Sequence, residues 1–139
     1  MVALAGALAA CSAKTPGESP AGAGVPAGAA ATTAPSVGER IYNGNCISCH
    51  QPTGLGIPGV YPSLAGSPVV LGDPAELARW VIKGQRPASM PVGRYPTQML
   101  QFGWLKPADA AALFSYLRSN FGNSAAPVDA AAVAQALGQ

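Results

Sequence analysis

The chain has 139 residues, which is enough for one domain with a single hydrophobic core. Charged residues make up only 10% of it and the formal net charge is +2, so its composition does not favour nucleic acid as a partner. With 17 glycines, 14 prolines and an aromatic content of 6%, few large side chains are available to fill an interior. A bulky apolar cofactor would supply part of the buried area that such a chain lacks.

Residues 1–10 are predicted to be a signal peptide, because they contain a short apolar run that is well below the roughly 20 residues needed to span a bilayer. Residues 8–11 resemble the bacterial lipobox, in which the cysteine becomes the lipidated first residue of the mature protein. The alternative is ordinary cleavage near Ala7 and Ala9, which would leave Cys11 as an odd thiol. We favour lipidation of Cys11, because a stray thiol is reactive in an oxidising compartment.

Residues 11–36 are predicted to be a flexible linker, since they are mainly Ala, Gly, Pro, Ser and Thr with almost no large apolar side chain. About 25 such residues typically span on the order of 25–30 Å. A lipid anchor followed by this linker would hold a domain near membrane-bound partners at a raised effective concentration. We therefore expect a protein of the bacterial periplasm that is tethered to a membrane by lipidated Cys11.

The folded domain is predicted over residues 37–122, with helices over 37–45, about 74–84 and 107–121. Asp73 is the expected N-cap of the second helix, and a proline stands at its first position. No segment has the pattern of a strand, so the predicted fold class is all-α.

Residues 123–139 are predicted to be a C-terminal tail with a short alanine-rich helix.

Two long segments, 51–72 and 85–105, separate the predicted helices. Loops of this length are unusual in a compact domain unless they have a function. We expect each of them to wrap one face of a flat cofactor.

Cys46, Cys49 and His50 form the pattern C-x-x-C-H, which is the attachment signature of c-type haem. Two thiols three residues apart lie on the same side of a helical turn, where each can add across one vinyl group of the porphyrin. The adjacent histidine then brings its imidazole beneath the iron. The pattern predicts one covalent haem c, attached through Cys46 and Cys49, with His50 as an axial ligand.

Three other readings of this pattern are less consistent with the rest of the sequence. A thioredoxin-like redox pair would be expected within a βαβ pattern, which is not visible here. A zinc site would need further ligands, but His50 is the only histidine and the chain has three cysteines. A disulfide between Cys46 and Cys49 would leave His50 and both long loops unexplained.

From residue 37 to about 123 the sequence resembles the class I cytochrome c family. Residues 38–42 resemble its N-terminal helix, whose glycine lets the terminal helix pack closely across it, and Tyr116 stands at the aromatic position of that crossing. Residues 61–66 resemble the family's proline loop, which implies that the Pro62 carbonyl accepts a hydrogen bond from the second nitrogen of His50. The resemblance implies a small fold of three to four helices around one haem.

The sixth iron ligand is expected to be a methionine, since the family usually has Met-Pro-x-Phe shortly before its last helix. Residues 99–102 keep the phenylalanine and the distance to the helix but lack the proline, whereas Met90 precedes a proline and lacks the aromatic residue. We choose Met99, because the position of the methionine relative to the last helix matters more for reaching the iron than the identity of its neighbouring residue. Met90 is the alternative, and the methionine that is not a ligand would have a packing role.

The most similar subset is the cytochrome subunits of membrane-bound alcohol, aldehyde and sugar-acid dehydrogenases. The resemblance lies in residues 102–105, 119–123 and 126–128. Those subunits often carry three haem domains, whereas this sequence has one C-x-x-C-H pattern. The resemblance implies redox proteins as partners, either a dehydrogenase or a terminal oxidase or reductase.

These expectations together predict one-electron transfer, because an iron with two protein ligands has no vacant position for oxygen or peroxide chemistry. Methionine ligation also favours a relatively oxidising couple. The alternative function is a haem enzyme or a gas or redox sensor in which the sixth ligand is absent or displaceable. A weaker alternative is a domain that mainly docks another subunit.

Overall fold

The computed structural model describes residues 34–90 and 92–139. Over these residues the helices are α1 Val37–Asn45, α2 Ile47–His50, α3 Pro68–Leu71, α4 Pro74–Lys83, α5 Pro107–Ser119 and α6 Ala130–Leu137. The described residues contain no strand, only an isolated bridge between Ile57 and Tyr61. The all-α prediction is confirmed. None of the helices in this part of the chain is long and apolar enough to cross a membrane.

Four of these six helices match the predicted segments, so the expected number of three to four was too low. The two additional helices, α2 and α3, are single turns of four residues each, too short to show a 3.6-residue periodicity. Helix α3 has a local signal in Ser67, whose side chain accepts a hydrogen bond from the Val70 backbone N–H. The predicted signal peptide, Cys11 and most of the linker lie outside the described residues.

Helices α1 and α5 cross in close contact because α1 has a glycine at the crossing. A Cβ atom on Gly38 would lie 2.2 Å from the Ala112 carbonyl oxygen and 2.7 Å from the Tyr116 Cβ. Next to this contact the Tyr42 and Tyr116 rings lie 5.6 Å apart, and Phe121 lies 5.0 Å from the Tyr42 ring. The close packing that the resemblance implied for Gly38 and Tyr116 is present.

The core is centred on α5, which packs against α1 and α6, and α6 packs in turn against α4. Tyr42, Leu77, Leu113 and Phe114 are among its most completely buried side chains. Asp73 is the N-cap of helix α4, and its carboxylate accepts from the Ala75 N–H at 2.9 Å, so the predicted N-cap is present.

The C-terminal segment 123–139, treated above as a tail beyond the domain, contributes directly to this core. Val128, Val133 and Leu137 are buried, because α6 lays its apolar face on α4 and α5. Polar contacts hold the same segment. Lys83 Nζ donates to the Leu137 carbonyl at 2.6 Å, and the buried Arg118 donates to the Ala126 carbonyl at 2.8 Å.

Candidate functional site

The C-x-x-C-H residues lie at the junction of α1 and α2. The backbone N–H groups of Cys49 and His50 both donate to the Cys46 carbonyl, at 3.2 and 2.9 Å, which closes one helical turn around the two thiols. Both cysteines are free, and Cys46 is the more buried of them. Burial, with a smaller contribution from Cys49, raises the pKa of the Cys46 thiol to about 11. Cys46 therefore stays protonated at neutral pH until it is modified.

His50 is buried at the end of α2, and its Nδ1 lies 3.0 Å from the Pro62 carbonyl oxygen. Because a carbonyl can only accept, Nδ1 carries the proton and Nε2 keeps a lone pair. Burial lowers the pKa of His50, and the Pro62 carbonyl opposes this shift. The imidazole is thus neutral and oriented, with the one nitrogen that could bind a metal left available.

The loop that carries Pro62 is held by Asn123, a buried residue beyond α5. Asn123 Oδ1 accepts from the Gly66 N–H at 2.8 Å, and its Nδ2 donates to the carbonyls of Leu64 and Leu117 at 3.1 and 2.8 Å. The sequence did not indicate a role for Asn123. No local signal could have done so, because its partners in the loop are 57 and 59 residues away.

The residue that follows His50 has an unusual backbone. Gln51 has φ 64° and ψ 160°, a backbone conformation that residues other than glycine rarely adopt. Its carbonyl accepts a hydrogen bond from the Tyr42 hydroxyl at 2.5 Å. Tyr42 stood out in the sequence only as part of residues 38–42, which resemble an N-terminal helix, so this hydroxyl contact was missed.

The two candidate methionines differ in their packing. Met99 is half-buried and packs against the core cluster. Met90 is also half-buried, but it is not among the side chains of the described residues that pack against this cluster. The segment just after Met99 is joined to α4 by the Phe102 N–H, which donates to the Val81 carbonyl at 3.0 Å. The structure therefore brings Cys46, Cys49, His50 and Pro62 together and places Met99 against the core.

The two long loops offer apolar surface that suits a flat apolar cofactor. The chain has no Asp, Glu, Lys or Arg between Arg40 and Asp73, a span that includes the cysteines, His50 and the first loop. Six of the seven large apolar side chains that are exposed in the described residues belong to the two loops: Leu55, Ile57, Val60, Val92, Leu100 and Trp104. Two thiols and an imidazole with a free Nε2 are the donor set that haem c requires, and the two loops carry exposed apolar side chains that suit its apolar faces.

A depression of about 410 Å³ beside α4 is lined partly by side chains that can donate hydrogen bonds. Its wall includes Trp80, Arg86 and Tyr95, with the Arg86 guanidinium 5.6 Å from the centre of the Trp80 ring. Arg94 lies 5.9 Å from the Tyr95 ring. Their N–H and O–H groups are donors that suit carboxylates such as the haem propionates. No group of three or more His, Cys, Asp or Glu side chains that could hold a separate metal ion occurs in the described part of the chain.

Comparison of the sequence with known proteins shows the family of the chain. The family model for cytochrome c matches residues 36–121. The chain is also 32% identical over 94 residues to the cytochrome c subunit of the quinone alcohol dehydrogenase of Gluconobacter oxydans (strain 621H). That alignment covers 65% of this chain, and the chain spans about a fifth, 19%, of the relative's length.

The family match agrees with the all-α fold, and both matches agree with a covalently bound haem c. They also support an electron carrier rather than an enzyme. The chain belongs to the cytochrome c family, and it is an electron-transfer protein with covalently bound haem c.

Proposed function

We propose that this chain transfers single electrons through a haem attached to Cys46 and Cys49, with His50 and Met99 as the two axial ligands of its iron. The observation that carries the proposal is the 3.0 Å contact between His50 Nδ1 and the Pro62 carbonyl. This hydrogen bond fixes the imidazole tautomer, so that Nε2 is the nitrogen that binds iron, and it strengthens Nε2 as a donor.

The protein's own groups perform two tasks in this scheme. Cys46 and Cys49 form thioethers, which hold the group even where the small domain does not enclose it. His50 and the Met99 sulfur would both bind the iron, which would leave no vacant position for oxygen or peroxide. Haem c supplies the iron that cycles between two oxidation states, and a thioether ligand favours the reduced one.

We propose a dehydrogenase as the electron donor. The support is the similarity to a cytochrome subunit of a quinone alcohol dehydrogenase, although this chain spans only 19% of that protein. The test is a reconstitution with the haem-loaded chain and the dehydrogenase subunit of a quinone alcohol dehydrogenase. Substrate-dependent reduction of the chain supports this donor, and reduction no faster than without the dehydrogenase subunit contradicts it.

We further propose that the protein works in the bacterial periplasm, tethered by lipidated Cys11. The support comes from sequence alone, in the lipobox resemblance of residues 8–11 and the flexible linker that follows. Cys11→Ser, expressed in a bacterial host with labelled palmitate, should abolish the label and release the protein from membranes. Unchanged membrane association in Cys11→Ser would contradict the anchor.

The ligand pair is tested by the visible spectra of the haem-loaded protein, oxidised and reduced, with Met99→Ala and Met90→Ala as matched variants. We expect a low-spin haem with the weak far-red band of methionine bound to iron(III), and we expect Met99→Ala alone to lose the band. Loss in Met90→Ala alone would transfer the role to Met90. A high-spin wild type that binds carbon monoxide at once would favour catalysis or sensing instead.

A further inference from the structure

The backbone directly after the histidine is held in a strained conformation by a side chain from another helix. Gln51, at φ 64° and ψ 160°, lies in a region that is populated almost only by glycine. A residue other than glycine persists there only where its surroundings over-determine it. The contacts that hold Gln51 therefore also decide where the chain leaves His50.

The shortest of these hydrogen bonds comes from the buried side of α1. The Tyr42 hydroxyl donates to the Gln51 carbonyl at 2.5 Å, and the Gly54 N–H donates to the same oxygen at 3.0 Å. Tyr42 has no exposed surface, and its ring lies 5.0 Å from that of Phe121. The packing of its ring therefore holds the hydroxyl in place.

The same strained turn is connected to both sides of the histidine. The Gly56 N–H donates to the His50 carbonyl at 2.9 Å, and the Gln51 N–H donates to the Ile47 carbonyl at 2.8 Å. A change in the Gln51 dihedral angles would turn the His50 backbone relative to Pro62, whose carbonyl accepts from the His50 ring at 3.0 Å.

We propose that Tyr42 is a positioning residue, whose hydroxyl holds Gln51 in its strained conformation and thereby keeps the His50 imidazole hydrogen-bonded to Pro62. This rests on the proposed role of His50 as an iron ligand. Burial, the largest cause, raises the pKa of Tyr42 to about 12, so the hydroxyl remains a donor throughout the physiological pH range.

The test is hydrogen exchange measured by NMR on the reduced, haem-loaded protein. Tyr42→Phe keeps the ring and its aromatic neighbours but removes the donor. We expect the His50 Nδ1–H and the Gly56 N–H to exchange about tenfold faster, as expected for the loss of one buried hydrogen bond. Amides inside α5 should change much less. Tyr116→Phe, the same chemical change on the neighbouring ring, is the matched control and should leave the His50 proton unchanged.

A second pair of variants, in which residue 51 is glycine, tests whether Tyr42 acts on His50 through the strain at Gln51. Glycine adopts positive φ freely, so Gln51→Gly should no longer need the hydroxyl. The effect of Tyr42→Phe on the His50 proton should then fall to about twofold or less. An equal effect in both backgrounds, no effect in either, or uniform acceleration of all amides would overturn the inference. If His50 is not an iron ligand, the low-spin spectrum is already missing in the wild type. A failure of the proposed iron ligation is thereby distinguished from a failure of the positioning role of Tyr42.

Discussion

The side chain of Asn123 and the backbone of Gly66 are 57 residues apart in sequence, yet Asn123 Oδ1 accepts a hydrogen bond from the Gly66 N–H at 2.8 Å. Asn123 Nδ2 reaches the Leu64 carbonyl in the same loop and the Leu117 carbonyl in α5. One buried amide thus ties the loop of Pro62 to the last turn of α5. The position of the carbonyl that orients His50 depends on this residue.

Asn123→Ala should destabilise the protein by about 2–3 kcal/mol, because it leaves buried backbone groups of the loop and of α5 without partners. Denaturant unfolding of the haem-loaded protein measures this free energy. Ser124→Ala, at the exposed neighbour, is the control and should change it by less than about 0.5 kcal/mol. Equal effects of the two substitutions would show that Asn123 does not hold the loop.

Gly38→Ala should lower the free energy of unfolding by about 3 kcal/mol, since its Cβ would lie 2.2 Å from a backbone oxygen of α5 and the two helices would have to separate. Gly44→Ala in the same helix is the matched control, because nothing lies within 4 Å of its Cβ. There alanine should stabilise α1 by about 0.5–1 kcal/mol. Thermal unfolding of both variants gives the comparison, and a tolerated alanine at position 38 would contradict the close crossing.

Helix α6 should contribute to the stability of the whole domain. Leu137→Ala removes a buried side chain at the contact with α4 and should cost about 2–3 kcal/mol in the free energy of unfolding. Gln135→Ala on the exposed side of α6 should be close to neutral. If denaturant unfolding shows both variants to be as stable as the wild type, residues 123–139 are not part of the folding unit.

The stability of the protein should fall at alkaline pH through Tyr42. Burial raises the pKa of Tyr42 from 10.0 to about 12, so over that range the unfolded chain has lost a proton that the folded protein retains. The contribution is complete below pH 10 and is lost as the pH rises towards 12.

Tyr42→Phe should therefore lose less stability than the wild type between about pH 10 and about pH 12 when both are unfolded by denaturant. Tyr116→Phe leaves Tyr42 in place. Burial, and to a lesser extent Glu39, also raises the pKa of Tyr116, so this variant should reduce the pH dependence too, but by less than Tyr42→Phe does. Parallel pH profiles for the wild type and Tyr42→Phe would show that another group causes the alkaline loss.

Local features of this chain can be read from the sequence because their signals lie within a few residues of one another. The C-x-x-C-H pattern fits into one helical turn, and it predicts covalent haem c without reference to the rest of the fold. Helix α4 is another example. Asp73 caps its start by accepting a hydrogen bond from the N–H of Ala75, two residues along the chain. The helix ends at Gly84, which adopts the left-handed conformation with φ 69°.

Features that depend on contacts between distant residues were decided only by the tertiary structure. The role of Asn123, the contact of the Tyr42 hydroxyl with Gln51 and the packing of α6 on α4 join segments whose sequences carry no sign of one another. A buried polar group must find a partner, but the sequence does not show which one, because that depends on how the helices cross. The sequence by itself thus determined the cofactor and the main helices, whereas the tertiary structure decided which groups hold the histidine, since burial and hydrogen-bond geometry exist only after the chain has packed.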